Sequence, residues 1–397
     1  MSTYTHAKNT VFHTAIIGAG AGGLFCAGSF NHSKIVLESN PKPALKVSVS
    51  GGGKCNFSNL VVSATDYLSQ NKHFCKSALA AFKPQDFIQL LNETHISWEE
   101  RQNGQLFAFD AQEIVRFLVK RAQKANSEIL YNTRVLDIRR EKNLFILDTS
   151  IGPVQAQHVV LATGGLSFPS LGANGFGVKM AHKFGWDVIE PRPALCGLTL
   201  PKEYKTKFSS LAGNSLTAQL SCDKKSFLGQ LLFTHDGISG PVVLQTSLFW
   251  ESDKAIEINF LPTVNVMDFL SSCKNSNQTI SAALVQAGLS KKIAKALLGE
   301  TDRDLANATK TQLLQVAKFI NNFTVVPIGT SGYTKAEVTA GGISTREFNA
   351  STLESRTQPG LYAIGEVLDV TGRLGGFNLQ WAWSSGFTAA KALEKLF

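Results

Sequence analysis

The chain has 397 residues, of which 44% are hydrophobic and 17% charged, with a formal net charge of +9. That composition excludes a disordered or fibrous chain, and the length exceeds one ordinary core, so two or three domains are expected. The basic excess is scattered, its densest runs being Arg139–Arg140, Lys224–Lys225 and Lys291–Lys292, which reads as a solvated surface favouring anionic ligands rather than a nucleic-acid stripe.

From Asn9 to Ser33 there is no Lys, Arg, Asp or Glu, a stretch long enough to raise a signal or anchor segment. Only Lys8 stands before it as a basic n-region, five glycines fall between Gly18 and Gly28, and Asn31 and His32 dilute it. No small-residue cleavage site follows, and no later run of about twenty apolar residues occurs, so no membrane span is expected. The first element reads instead as strand, tight turn and helix over "HTAIIGAGAGGLFCAGSF", with Gly18, Gly20 and Gly23 in the spacing GxGxxG. Gly18 serves the turn, Gly20 lets a diphosphate approach bare backbone, and Gly23 lets the helix pack close on the sheet. The helix N-terminus then faces the phosphates. A second β-rich run, "KIVLES", places Glu38 twenty residues after Gly18, where a carboxylate accepts hydrogen bonds from ribose hydroxyls and disfavours a 2′-phosphate.

Further along, "HVVLATGG" (158–165) reads as a buried strand breaking into a glycine turn. From Gly197 to Phe260, alternating runs such as "SLTAQLSCD" and "KAIEINF" read as antiparallel strands. "FTHDGISGP" sets His235 and Asp236 ahead of a Gly–Pro turn, where a histidine can trade protons with a substrate. Between Val264 and Phe323 the pattern is helical, with Ser290 as a cap and Gly299 as a stop, before β-like "FTVVPIG". "GLYAIGEVLDVTG" (360–372) is another strand ending at Gly365–Glu366. The chain closes on a helix with apolar positions at Leu379, Trp383, Phe387, Ala390 and Leu393. The six cysteines, Cys26, Cys55, Cys75, Cys196, Cys222 and Cys273, form no CxxC pair and no Cys/His cluster. No zinc or other metal site and no disulfide framework is expected, which fits a cytoplasmic protein.

The 158–165 and 360–372 runs resemble the ATG and GD motifs of the two-dinucleotide-binding flavoproteins, the group holding glutathione reductase and fumarate reductase. Glu366 stands where Asp is usual. "KVSVSGGGKCNFSN" (46–59) narrows the match, being similar to the SGGGRCNxTN signature of bacterial aminoacetone oxidase family FAD-binding enzymes, also labelled BaiN-type NAD(P)/FAD-dependent oxidoreductases, with Lys54 in place of Arg. Residues 162–185, 231–247, 339–356 and 365–386 resemble further blocks of that family in order, with Leu353 where Met is usual.

The resemblance implies non-covalent FAD held by Ala21, Gly22, Glu38, Ser39, Lys46, Asn56, Val135, Gly365, Glu366, Asn378 and Leu379, with Glu366 on the ribitol chain. Gly18, Gly20 and Gly23, the loop residues Gly53, Lys54 and Cys55, the turn Thr163, Gly164 and Gly165, and Gly376 and Phe377 complete the expected set. Five residues after Cys55 stands Leu60, so the paired cysteines of glutathione-reductase-like enzymes are missing and Cys55 reads as a packing or flavin-adjacent residue. A second GxGxxG is also missing, so NAD(P)H, if it is the donor, docks transiently.

The expected fold is α/β: a Rossmann-like FAD-binding domain at 10–196 and 341–397, an inserted antiparallel β-domain at 197–262 and 323–340, and a small helical subdomain at 263–322. The expected activity is hydride transfer from NAD(P)H through flavin to a small unsaturated or carbonyl-conjugated molecule. An oxygen-using amine oxidase is the alternative, and a flavin-containing nucleic-acid-binding or redox-sensing protein the rival of another class.

Overall fold

The protein is described by a computed structural model over residues 10–396; Lys8 of the expected n-region and the terminal Phe397 lie outside the described residues. Two compact units emerge, one running up to Arg192 and resuming at Val338, the other Pro193–Glu337. The joins expected at 196/197 and 340/341 therefore move to 192/193 and 337/338. Hydrogen bonds give the reason. Cys196 N–H donates to Ser247 Oγ at 3.0 Å and Glu337 N–H to Leu195 O at 3.2 Å, inside the second unit. Thr339 N–H donates to Glu366 at 2.8 Å, inside the first.

The first unit is built on parallel strands. Val11–Ile17 is buried at every position after its first residue, as a central parallel strand covered on both faces must be. It pairs with Lys34–Leu37 on one side and Gly152–Leu161 on the other. Ser127–Leu130 extends the sheet beyond Lys34–Leu37, and Leu361–Ala363 pairs with the end of Gly152–Leu161. The antiparallel strands Leu144–Thr149 and Val135–Glu141 complete it. Register brings Leu37, Ile17, Leu161 and Ala363 level, so the turns after them emerge together. Strand order reverses direction between Val11–Ile17 and Gly152–Leu161, and in such sheets ligands bind outside the carboxyl ends at that point.

The C-terminal helix, Phe377–Glu394, differs from the single apolar face that the spacing of Leu379, Trp383, Phe387, Ala390 and Leu393 predicts. It is buried nearly all round, with Trp381 and Trp383 almost wholly enclosed, while Leu379 and Phe387 are only half-buried. Its buried polar groups are satisfied inside the protein. Trp381 Nε1 donates to Gly365 O at 3.0 Å, Trp383 Nε1 to Phe57 O at 2.9 Å, and Ser384 Oγ to Phe82 O at 2.8 Å. It lies against helix Ala21–Ala27, and a Cβ on Gly386 would stand 2.8 Å from Gly22 O.

The second unit holds a seven-stranded sheet whose pairings are antiparallel, in the order Phe323–Val325, Ile256–Asn259, Ser215–Cys222, Lys225–Phe233, Gly237–Ser239, Leu198–Thr199 and Gly329–Thr330. It has its own core, with Phe208, Phe233, Phe260 and Ile320 buried together. Ser290 caps helix Lys291–Leu298, accepting from Ile293 N–H, and Gly299 ends it at φ +55°. A helix at Pro241–Ser247 opens on the proline of the "GISGP" turn, because proline at a first helical position loses no hydrogen bond. Among the described residues no helix is long and apolar enough to cross a membrane.

Candidate cofactor site

The three motif glycines stand in three different environments. Gly18 has φ +106°, and a Cβ there would lie 2.5 Å from Ala162 O. A Cβ on Gly23 would lie 2.0 Å from Gly18 O, so that glycine seats the helix on the strand. Gly20 is extended, at φ −81° and ψ −168°, and no atom lies within 4 Å of where its Cβ would be. The protein itself does not need a glycine at position 20. The empty space beside it is what a ligand would fill. Behind that space the first-turn N–H groups of Ala21, Gly22 and Gly23 have no intrahelical acceptor, and no acidic residue occupies the turn.

Glu38 closes one side. Its buried carboxylate accepts from Ala19 N–H at 2.8 Å through Oε2, and from Asn40 N–H and Nδ2 at 2.8 Å through Oε1. Ser39 Oγ approaches the same Oε1 at 3.4 Å. Oε2 keeps a lone pair for a ribose hydroxyl. Thr133 N–H donates to Glu38 O at 2.8 Å, and buried Val135 begins the next strand two residues on.

Glu366 closes the other. Its Oε1 accepts from Thr339 N–H at 2.8 Å and its Oε2 meets Lys46 Nζ at 2.6 Å, bringing together two residues 320 positions apart. A Cβ on Gly165 would lie 2.8 Å from Glu366 Oε1, whereas at Gly365 no atom lies within 4 Å. Gly164 is equally open, with Glu366 Oε2 alone at 4.0 Å. Thr163 Oγ1 is buried with no hydrogen-bond partner among the described residues.

The loop Gly51–Gly53 runs at positive φ throughout, open beside Gly52 and Gly53, and Lys54 is exposed. Cys55 has no exposed surface, and burial pushes its thiol up to about 12. It packs within the loop and offers no side-chain atom to the open space, which corrects its place among the expected contacts. The Asn56 amide lies 2.9 Å from that of Gln105.

Gly376, at φ +93°, starts the C-terminal helix where a Cβ would strike Ser58 O. The N–H groups of Phe377, Asn378 and Leu379 have no intrahelical acceptor, and the first turn carries no acid. The Phe377 side chain is buried, and Asn378 clips its own loop, accepting from Gly372 N–H at 2.8 Å and donating to Gly372 O at 2.9 Å. What these residues hold out is main chain.

Sequence reasoning missed Thr339 as a site residue. It orients Glu366, and its Oγ1 also accepts from Leu166 and Ser167 N–H at 2.8 and 3.1 Å. The signal was present, since position 339 begins one of the family-like blocks. His235 and Asp236 belong to the second unit, exposed at the hairpin tip where Thr234 N–H donates to Gly237 O at 2.9 Å. Asp236 is bound to Lys205 at 2.6 Å, which holds its carboxyl below the usual range. It is therefore ionised at neutral pH and has no proton to give.

A parallel sheet with a switch-point crevice, an open glycine turn ahead of a helix and a carboxylate at each of two strand ends form the arrangement expected of an FAD-dependent oxidoreductase. The family model described as HI0933-like protein Rossmann domain matches residues 12–392, and the chain belongs to that family. It is 42% identical over 392 residues to the ribosomal RNA dihydrouridine synthase of Escherichia coli K12, covering 96% of this chain and 98% of that one. A protein named 3-dehydro-bile acid delta(4,6)-reductase, from Clostridium scindens, is 27% identical over 95% of this chain and 98% of its own length. Among solved structures, the 3-ketosteroid-delta4-(5alpha)-dehydrogenase of Rhodococcus jostii shares the fold at TM-score 0.52 and 12% identity, covering 98% of this chain and 97% of that one. E. coli quinol fumarate reductase FrdA does so at 0.50 and 17%, covering 97% and 70%.

Proposed function

We propose that the protein reduces the C5=C6 bond of a uracil base in ribosomal RNA, with NAD(P)H as electron donor. The observation that carries this reading is likeness at 42% identity over almost the whole length of two proteins, from E. coli and Haemophilus influenzae, named ribosomal RNA dihydrouridine synthase. It keeps the expected chemistry, an unsaturated bond conjugated to a carbonyl, and replaces the expected small molecule with a base in RNA. The net charge of +9 favours such a polyanion. A ribosomal RNA substrate and six free cysteines fit a cytoplasmic setting.

Saturating one C=C bond takes two electrons and two protons, delivered as a hydride and a proton. FAD, when bound, supplies the hydride chemistry, and the protein supplies binding, orientation and electrostatics. Gly20 and the Ala21–Gly23 amides would hold the diphosphate, and Glu38 the adenosine ribose. The Lys46–Glu366 pair would hold the ribitol hydroxyls. The N-terminus of helix Phe377–Glu394 would stabilise the negative charge that reduction places on the flavin.

The test compares ribosomal RNA from cells with and without the gene, digested to nucleosides and measured for dihydrouridine by mass spectrometry. Deproteinised RNA is also incubated anaerobically with purified protein and NADH or NADPH. The expected result is one dihydrouridine that disappears on deletion and returns in vitro. Unchanged dihydrouridine in cells, with rapid reduction of a small enone by the purified protein, sinks the RNA reading and restores the small-molecule one.

A further inference from the structure

Beside the cofactor cradle, the first unit carries a groove of about 420 Å³ that the proposed chemistry does not use. That volume falls within the range of about 300–1,000 Å³ typical of ligand sites. One wall is residues 60–64, continuing the strand Asn56–Asn59 that follows the Gly51–Gly53 loop. The other is helix Lys76–Ala81 and the start of helix Pro84–Glu93. Its lining is mostly apolar, through Leu60, Val62, Leu79 and Pro84, and Val61 beside them is 77% exposed. Gln380 also lines it, one residue beyond Leu379 of the cofactor-facing helix turn. Gln380 is committed inside the protein, accepting from Ser58 Oγ at 2.6 Å and donating to Phe82 O and Ser384 Oγ at 3.0 Å.

Two lysines, Lys76 and Lys83, stand on the lining, in a basic stretch of the chain. Between residues 39 and 85 the chain has Lys42, Lys46, Lys54, Lys72, Lys76 and Lys83 against one acid, Asp66. Asp66 is buried and paired with Arg373, and Lys46 is paired with Glu366. Lys54, Lys72, Lys76 and Lys83 are exposed, and none of them takes part in an ion pair among the described residues. Asp86, the next acid along, accepts Lys83 N–H at 2.6 Å as the cap of its own helix. An apolar trough with the unpaired Lys76 and Lys83 on its lining complements a nucleotide. Single-stranded nucleic acids are held in this way, with charge on the phosphates and apolar contact on the bases.

Resting on the RNA reading above, we propose that this groove binds a nucleotide neighbouring the reduced uridine. The base lies on Leu60, Val62, Leu79 and Pro84, and the two phosphates flanking it lie one against Lys76 and one against Lys83. The test uses the FAD-loaded protein and a twelve-residue single-stranded oligouridylate, with affinity measured by fluorescence anisotropy across a salt series. Inorganic polyphosphate serves as a base-free competitor. Lys76→Glu with Lys83→Glu should weaken binding at least tenfold and flatten the slope of log affinity against log salt by about 1.4, since each phosphate contact on a single strand contributes about 0.7. Ala80→Trp fills the groove from an exposed helix position. It should weaken oligouridylate binding several-fold while leaving polyphosphate binding and the salt slope unchanged. In both variants flavin content and reduction by NAD(P)H should match the parent. Parent-like oligouridylate affinity in both variants overturns the groove, and equal loss of polyphosphate binding in Ala80→Trp overturns the base contact. A parent protein that binds no oligouridylate overturns the RNA reading itself, and the groove with it.

Discussion

Gly20 and Gly18 stand two positions apart and answer to different masters. Gly18 is held by its own protein, at φ +106° with Ala162 O in the way of any side chain. Gly20 faces open space in an ordinary extended conformation. Gly20→Val should therefore fold, with a loss of no more than about 1 kcal/mol for a poorer helix cap, yet purify colourless and fail to take up added FAD. Near-parent melting of the apoprotein alongside a yellow Gly20→Val protein would show that the diphosphate lies elsewhere. Cys55 makes the opposite case, a residue whose neighbourhood suggests chemistry and whose burial forbids it. With the thiol pushed up to about 12, it is protonated across the physiological range. We expect Cys55→Ser to cost about 1–3 kcal/mol of stability for a buried hydroxyl, less if Ser50 accepts its bond. The rate of flavin reduction by NAD(P)H should be unchanged, and a stopped-flow trace showing loss of that step at full flavin loading would reveal a catalytic thiol. Both environments turn on which atoms approach from distant strands, which no local spacing states.

At the level of elements, the N-terminus of helix Phe377–Glu394 is the feature with a measurable electrical consequence. Its first three N–H groups lack intrahelical acceptors, so removing one need not unravel the helix. Leu379→Pro does this, at some cost to Asn378, since a residue before proline resists the helical region. A hydrogen bond to a charged group contributes about 1.5–3 kcal/mol, and the two-electron potential should fall by about 30–60 mV accordingly, with weaker sulfite adduct formation. A flavin-loaded variant with the parent potential would mean that this N–H does not stabilise the reduced flavin. The same helix shows where periodicity misleads. Its spacing predicts one apolar stripe, but helices Ala21–Ala27 and Lys76–Ala81 and strand Asn56–Asn59 all pack around it. Gln380, Ser384 and Ser385 are buried among them, each hydrogen-bonded. A polar residue with an internal partner looks solvent-facing in a sequence.

At the scale of the whole molecule, the described residues form two hydrophobic cores, one to each unit. Every cradle residue, from Gly18 to Leu379, belongs to the first unit. Ligand binding stabilises only what it binds, by about 2.7 kcal/mol at a hundredfold excess over Kd. Calorimetry of protein stripped of FAD should show the transition of the first unit shifted down by several degrees while that of Pro193–Glu337 stays in place. Equal shifts in both transitions, or a single cooperative transition with and without FAD, would contradict independent cores.

Much of this was legible in the residues alone. GxGxxG ahead of a helix and Glu38 at the end of the next strand are short-range patterns that local geometry demands, and they pointed to a dinucleotide-binding fold. The choice of FAD, and Glu366 with it, came from the resemblance of the 46–59, 158–165 and 360–372 runs to flavoprotein motifs. Tertiary structure decided what depends on approach between distant segments. It joined Lys46 to Glu366 and revealed Thr339 as the residue that aims that carboxylate. It closed Cys55 off, enclosed the C-terminal helix nearly all round, and set Lys76 and Lys83 on one groove with Leu60 and Val62. Side-chain burial and pairing are properties of surfaces that meet only after folding, so a single chain of letters records the partners but not the meeting.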